Sequence, residues 1–151
     1  PELTADVHIM GAPQVDLFAS TTGTDSDWVV KLIDVYPDND TLQPETAGLQ
    51  MGIGFEIFRG RYVKDFAKPQ PLTAGKIEEY KFGLPNVDHV FRKGHQIMVQ
   101  VQSTLFPLYD RNPQTYVPNI FFAKAGDYRK ATQSIHRSAA APSAVILPVV
   151  R

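Results

Sequence analysis

Cysteine is absent from the chain. Disulfide staples, thiolate nucleophiles and cysteine-held metals are thereby excluded. The compartment stays open, since exported proteins also do without cysteine. A surplus of either charge is missing too: 15 Lys and Arg face 16 Asp and Glu, for a formal net charge of −1. Binding nucleic acid by neutralising several phosphates calls for a basic excess, so no nucleic-acid partner is expected. No apolar run approaches the roughly 18 residues that a membrane-spanning helix needs, and no membrane partner is expected. Nor does any long stretch hold the 3.6-residue periodicity of an amphipathic helix. No serine sits between glycines in a G-x-S-x-G elbow. P-loop and H-E-x-x-H patterns are missing. Gly52-Ile53-Gly54 opens like a dinucleotide fingerprint, but Ile57 stands where the third glycine belongs. No secretory signal pattern opens the chain, and its first residue is Pro1, so an excised domain or processed product is expected.

What is present is strand signal and punctuation. The 151 residues fit one domain, long enough to bury a core without staples. Val7 and Ile9 alternate with polar neighbours, as do Val15, Leu17 and Ala19. The run from Asp27 to Tyr36 is apolar on both faces and predicts a central strand, halted by Pro37-Asp38-Asn39-Asp40. Further strands are predicted over Gly54–Val63, Ile77–Leu84, His95–Ser103, Asn119–Ala123, Thr132–Ser138 and Ala144–Val149. Short helical turns are expected near Thr46–Gln50 and Asp127–Lys130. Twelve prolines and ten glycines separate about nine strands. That pattern predicts an all-β antiparallel sandwich or barrel in a single domain covering residues 1–151.

The residues that could carry chemistry have structural readings beside them. His8, His89, His95 and His136 show no metal-ligand spacing, and hydrogen-bonded or solvated imidazoles are expected. His89 and His95 bracket VFRKG, which reads as a turn. Asp25, Asp27, Asp38, Asn39 and Asp40 supply loop oxygens of the kind calcium takes, without EF-hand spacing; solvated turn caps are the expectation. No metal and no cofactor is predicted. Arg59 and Arg61 fall on one side of a predicted strand, where ion pairing to a neighbouring carboxylate is favoured over a substrate-carboxylate patch. In FPLYDRNPQTY, Asp110, Arg111, Asn112 and Pro113 have turn chemistry, and Arg111 stays protonated and cannot act as a base. This loop reads as a structural corner whose Phe106, Tyr109 and Tyr116 are free to line a surface.

Three segments resemble one family: DSDWVVKLIDVYPD, PLTAGKIEEYKFGLPNVDHVFRKGHQIMVQVQSTLFPLYDRNP and the terminal SAVILPVV. Together they are similar to the C-terminal domain of the X-Pro dipeptidyl-peptidase family of serine hydrolases, which includes cocaine esterase and the α-amino acid ester hydrolases. NPQTYVPNIFFAKAGDYRKATQSIHRS resembles the last branch most. The resemblance runs from about Leu3 to Val150. It implies a jelly-roll β-sandwich of the galactose-binding-like type, a fold label that carries no sugar specificity. It also implies a Ser-Asp-His triad on a separate N-terminal α/β-hydrolase domain of a larger bacterial protein whose compartment is left open, so no catalytic residue is assigned here. The expected role is to pack on that domain, wall its cleft and support a homo-oligomer of the parent. Candidates for that interface are Trp28, Arg61, Tyr62, Phe66, Phe106, Tyr109 and Tyr116, in the segments Thr22–Trp28, Arg61–Phe66 and Phe106–Tyr116. Trp28 opens an apolar strand and is expected to be at least partly buried. The rival from another class is a carbohydrate-binding jelly roll with exposed aromatics and a calcium ion.

Overall fold

A computed structural model describes residues 1–39 and 43–150. Eleven strands occur among them: β1 (Val7–Gly11), β2 (Gln14–Thr21), β3 (Asp27–Val35), β4 (Gln50–Arg59), β5 (Glu78–Gly83), β6 (Val87–Phe91), β7 (Gln96–Gln102), β8 (Gln133–Ile135), β9 (Arg137–Ser138), β10 (Ala141–Pro142) and β11 (Ala144–Ile146). β3 lies between β4 and β7 in one sheet. β2 lies between β5 and β11 in another, with β8 extending its pairing. β1 pairs β6, β9 pairs β10, and all the pairings are antiparallel. The architecture is the all-β jelly-roll sandwich.

Period-two alternation makes the core. Val15, Leu17 and Ala19 of β2 face Trp28, Val30 and Leu32 of β3, joined by Ile9, Phe58, Tyr80, Leu84 and Phe91. The Tyr80 ring meets Trp28 at 5.6 Å in a tilted contact and Phe58 at 5.5 Å edge-on, geometries that aromatic pairs prefer over a face-to-face sandwich. On the opposite face of β3, Val29 and Ile33 are also buried, which is why this strand carries apolar residues on both sides.

Several boundaries differ from the expectations. β6 occupies part of the segment read as a turn; it pairs β1 in register Val7↔Phe91 to Gly11↔Val87, and polar Asp88 and His89 mask its alternation. β4 starts at Gln50 and ends at Arg59, and a 3₁₀ turn takes Gly60–Tyr62. Asn119–Ala123 is no strand. A 3₁₀ turn spans Ile120–Phe122, started by Asn119, whose Oδ1 accepts from the Phe121 N–H at 3.0 Å. The helical turns sit a little earlier than expected, at Pro44–Thr46 and Ala125–Asp127. Asp40 lies outside the described residues.

Candidate functional site

Three separate loops come together at one end of the sandwich, and backbone hydrogen bonds hold them there. The Thr24 N–H donates to Gln114 O at 3.1 Å, and the Leu72 N–H donates to Thr24 O at 2.8 Å. The Tyr116 N–H donates to Thr24 Oγ1 at 2.9 Å, and the Tyr116 hydroxyl donates to Pro69 O at 3.0 Å. Gly23 makes the approach possible, because a Cβ there would lie 2.2 Å from Gln114 O. Gln114 itself is held at φ +62°, an uncommon backbone state for a side chain of this kind. Segments that the sequence set far apart therefore form one face.

Beneath that face lies a buried polar layer. The Asp25 carboxylate accepts from Arg61 Nε at 2.9 Å and Nη2 at 2.5 Å, and its other oxygen accepts from the Ser26 N–H at 2.9 Å. Asp27 sits 3.6 Å from Arg59 Nη1 and accepts from Asn112 Nδ2 at 2.9 Å. Burial pushes the Asp27 carboxyl up to about 6, against the opposing pull of Arg59. Asn112 is thus committed on both ends: its Oδ1 accepts from the Gln114 N–H at 2.8 Å. Asp25 and Asp27, expected as solvated caps, are instead buried ion-pair partners, because the loops fold over them. Arg61 lies on a 3₁₀ turn rather than a strand, yet it reaches the carboxylate two residues before Arg59's, and its guanidinium lies 4.8 Å from the Tyr116 ring centroid.

The outer surface of this end is aromatic. Phe66, Phe121 and Phe122 are 76%, 72% and 79% exposed. Tyr62 stacks on Phe66 at 6.3 Å. A cleft of about 300 Å³ is lined by Arg59, Arg61, Tyr62, Asn119, Ile120 and Phe121. Phe106 and Leu108 are exposed farther along, and the Arg111 guanidinium lies between the rings of Phe106 and Tyr128 at 5.7 and 5.6 Å. Asp110 is exposed at the tip. Tyr109 lines a different cleft, with Gly52, Gly54, Phe55, Pro85 and Leu108. Trp28 is a correction: at 1% exposure it belongs to the core and cannot meet another domain, because β3 turns it inward against Tyr80. Phe121 and Phe122 were missed. Adjacent residues of a strand point to opposite faces, so the Phe-Phe pair in a presumed strand was itself a signal that one ring faces out.

The histidines have partners. Asp34 is buried and accepts from His89 Nε2 and His95 Nδ1, both at 2.9 Å. His8 meets Asp88 at 2.6 Å. Ser20 Oγ lies 3.0 Å from His136 Nε2, but among the described residues no carboxylate orients that imidazole, so a nucleophile–base–acid relay is not assembled. Among the described residues no three His, Cys, Asp or Glu gather to hold a metal ion.

Comparison with known proteins agrees with this arrangement. The family model described as X-Pro dipeptidyl-peptidase C-terminal non-catalytic domain matches residues 1–146. Cocaine esterase of Rhodococcus sp. (strain MB1 Bresler) is 34% identical over 149 residues, 99% of this chain and 24% of that protein. A solved α-amino acid ester hydrolase labelled with selenomethionine superposes with a TM-score of 0.96 at 57% identity, over 99% of this chain and 24% of its own. An aminopeptidase from the marine sediment archaeon Thaumarchaeota archaeon gives 0.97 at 51%, over 100% and 25%. The chain therefore spans about a quarter of the relatives it matches. It belongs to the X-Pro dipeptidyl-peptidase C-terminal non-catalytic domain family.

Proposed function

We propose that this domain closes the active-site cleft of a larger serine hydrolase that acts on esters or amides, with α-amino acid esters and β-lactam antibiotics as the leading substrate class. The parent's chemistry is acyl transfer from a serine activated by histidine and aspartate on an N-terminal α/β-hydrolase domain. This domain contributes the wall. The observation that carries the reading is the aromatic surface beside the Asp25–Arg61 layer: Phe66, Phe121 and Phe122 are exposed, Phe121 lines a cleft with Arg59, Arg61 and Tyr62, and Tyr62 stacks on Phe66. Large apolar rings left in water on an ordered face fit a domain interface. Covering them excludes water from the neighbouring cleft and strengthens the electrostatic contacts within it.

The test uses the full-length protein. Phe66→Ala, Phe121→Ala and Tyr109→Ala are introduced singly, and kcat/KM on an amino acid ester is measured beside thermal stability. Loss of both in the Phe66 and Phe121 variants is expected. Unchanged values in all three variants would remove the interface. The carbohydrate-binding reading loses its sole tryptophan to the core, and titration of the 151-residue chain with sugars, with and without calcium, is expected to show no millimolar binding.

A further inference from the structure

A cavity of about 410 Å³ lies at the end of β3 remote from the aromatic face. Asp27, in the polar layer beneath that face, and Asp34, on the cavity, stand at opposite ends of this strand, roughly 23 Å apart at the strand's rise per residue. Asp34, Tyr36, His89, Val90, Arg92 and His95 line the cavity, whose volume suits a small ligand. Its floor is a fixed array. Asp34 is buried and spends one oxygen on His89 Nε2 and the other on His95 Nδ1, each at 2.9 Å. Aromatic rings brace both imidazoles: Phe91 meets His89 at 4.8 Å, and Tyr36 meets His95 at 4.3 Å.

The turn at residues 92–95 is equally set. Gly94 holds φ +87°, which glycine adopts without strain, and the His95 N–H donates to Arg92 O at 3.0 Å. Leu3 clamps the turn from outside, accepting from the Gly94 N–H at 2.9 Å and donating to His95 O at 2.8 Å. The Lys93 N–H donates to Asp6 Oδ1 at 2.8 Å. Arg92 stands on this fixed turn with a guanidinium that meets no carboxylate and no acceptor among the described residues. The second nitrogen of each imidazole, His89 Nδ1 and His95 Nε2, also has no partner among the described residues. An unpaired cation and two oriented rings thus share one cavity.

We propose that this cavity binds a tetrahedral oxyanion, either free or as the phosphate end of a phosphomonoester, held by Arg92, His89 and His95. The guanidinium fork takes two oxygens of such a group, and each protonated ring offers one further N–H. A carboxylate has only two oxygens and leaves part of this donor set unused. The unpaired guanidinium also disfavours a metal cation in the same space. Asp34 of β3 and Arg92 cancel in charge while the rings are neutral, and Tyr36 is the remaining titratable group on the lining. Glu2 and Asp38 lie on the neighbouring cleft beyond Tyr36. An anion entering near Asp34 therefore draws protons onto the imidazoles, the side chains that ordinarily change charge between pH 5 and 8, and binding tightens as pH falls. The inference is independent of the aromatic face, whose residues lie on other loops.

The test is isothermal titration calorimetry on the full-length protein at constant ionic strength, with sodium sulfate, glycerol phosphate and sodium acetate as probes. Sulfate keeps its charge between pH 6 and pH 8, so its pH dependence reports the protein's own protons. Sulfate and glycerol phosphate are expected to bind, sulfate about tenfold tighter at pH 6 than at pH 8, and acetate about tenfold more weakly than either. R92Q, folded by circular dichroism, is expected to weaken sulfate binding about tenfold. H89Q keeps an N–H for Asp34 but cannot take up a proton, and is expected to flatten the pH dependence. A natural protein that binds no sulfate at pH 6 overturns the proposal. So does R92Q binding sulfate as tightly as the natural protein, which would place the anion elsewhere. Acetate binding as tight as sulfate, an affinity equal at the two pH values, or an H89Q variant with the natural pH dependence each overturns it as well.

Discussion

Replacing Arg61 by Met tests the buried layer directly. Asp25 is 0% exposed and Arg61 5% exposed at the side chain, and two N–H groups of Arg61 converge on one carboxylate oxygen. Met preserves most of the stem that packs beneath Tyr116 but removes the guanidinium. An uncompensated carboxylate then stays in the interior. Breaking one partner of a buried pair costs about 3–5 kcal/mol. A chain of this size loses roughly 2–4 °C of Tm per kcal/mol, so the melting point should fall by about 6–20 °C. The Asp25→Leu, Arg61→Met double variant removes both charges and leaves mainly the Ser26 N–H without its acceptor, at a cost of about 1–3 kcal/mol. It should therefore be the more stable of the two. Urea denaturation of the 151-residue chain at pH 7 with an unchanged m-value, beside a thermal melt, gives both numbers. The reasoning is refuted if the single variant loses less than about 1 kcal/mol, or if the double variant is the weaker.

Two further outcomes follow from the same loops. Asp27 has a folded-state carboxyl raised to about 6 from 3.8, chiefly by burial, so the folded chain binds this proton more tightly than the unfolded chain. Its contribution is full below pH 3.8 and is lost as pH rises through 6; the difference in stability between Asp27→Asn and the natural chain should move by about 2 kcal/mol between pH 4 and 7 in favour of the variant, whereas a difference that is flat with pH would contradict the assignment. Gly23→Ala forces a methyl group to within 2.2 Å of Gln114 O and should cost about 1–3 kcal/mol while speeding hydrogen exchange at the Thr24 amide; a variant with natural stability and exchange would show that the loops do not need to touch there.

The sandwich was legible because its signal is local. Val15, Leu17 and Ala19, or Trp28, Val30 and Leu32, declare an inward face within one strand. β6 was not legible, because Asp88 and His89 interrupt its alternation to meet His8 and Asp34, partners about eighty and fifty-five residues away. Asp25 and Asp27 look like turn residues in sequence, since nothing nearby in the chain announces Arg61, Arg59 or Asn112 as their neighbours. The arginine spacing did carry information. Arg59 and Arg61 converge on adjacent carboxylates even though the strand meant to align them stops at Arg59. Trp28 shows both sides: its place at the head of an apolar strand gave its burial correctly, and that same burial removes it from the interface candidates.

The backbone bonds among Thr24, Leu72, Gln114 and Tyr116 bear on whatever meets this end of the molecule. Segments that must freeze on contact forfeit about 0.5–1.5 kcal/mol for each mobile side chain, and more for chain ordering. Here the loops are already immobilised against one another when the domain folds. A neighbour would find a finished template, so tightness of association should follow ring-to-pocket fit and respond little to loop-stiffening substitutions.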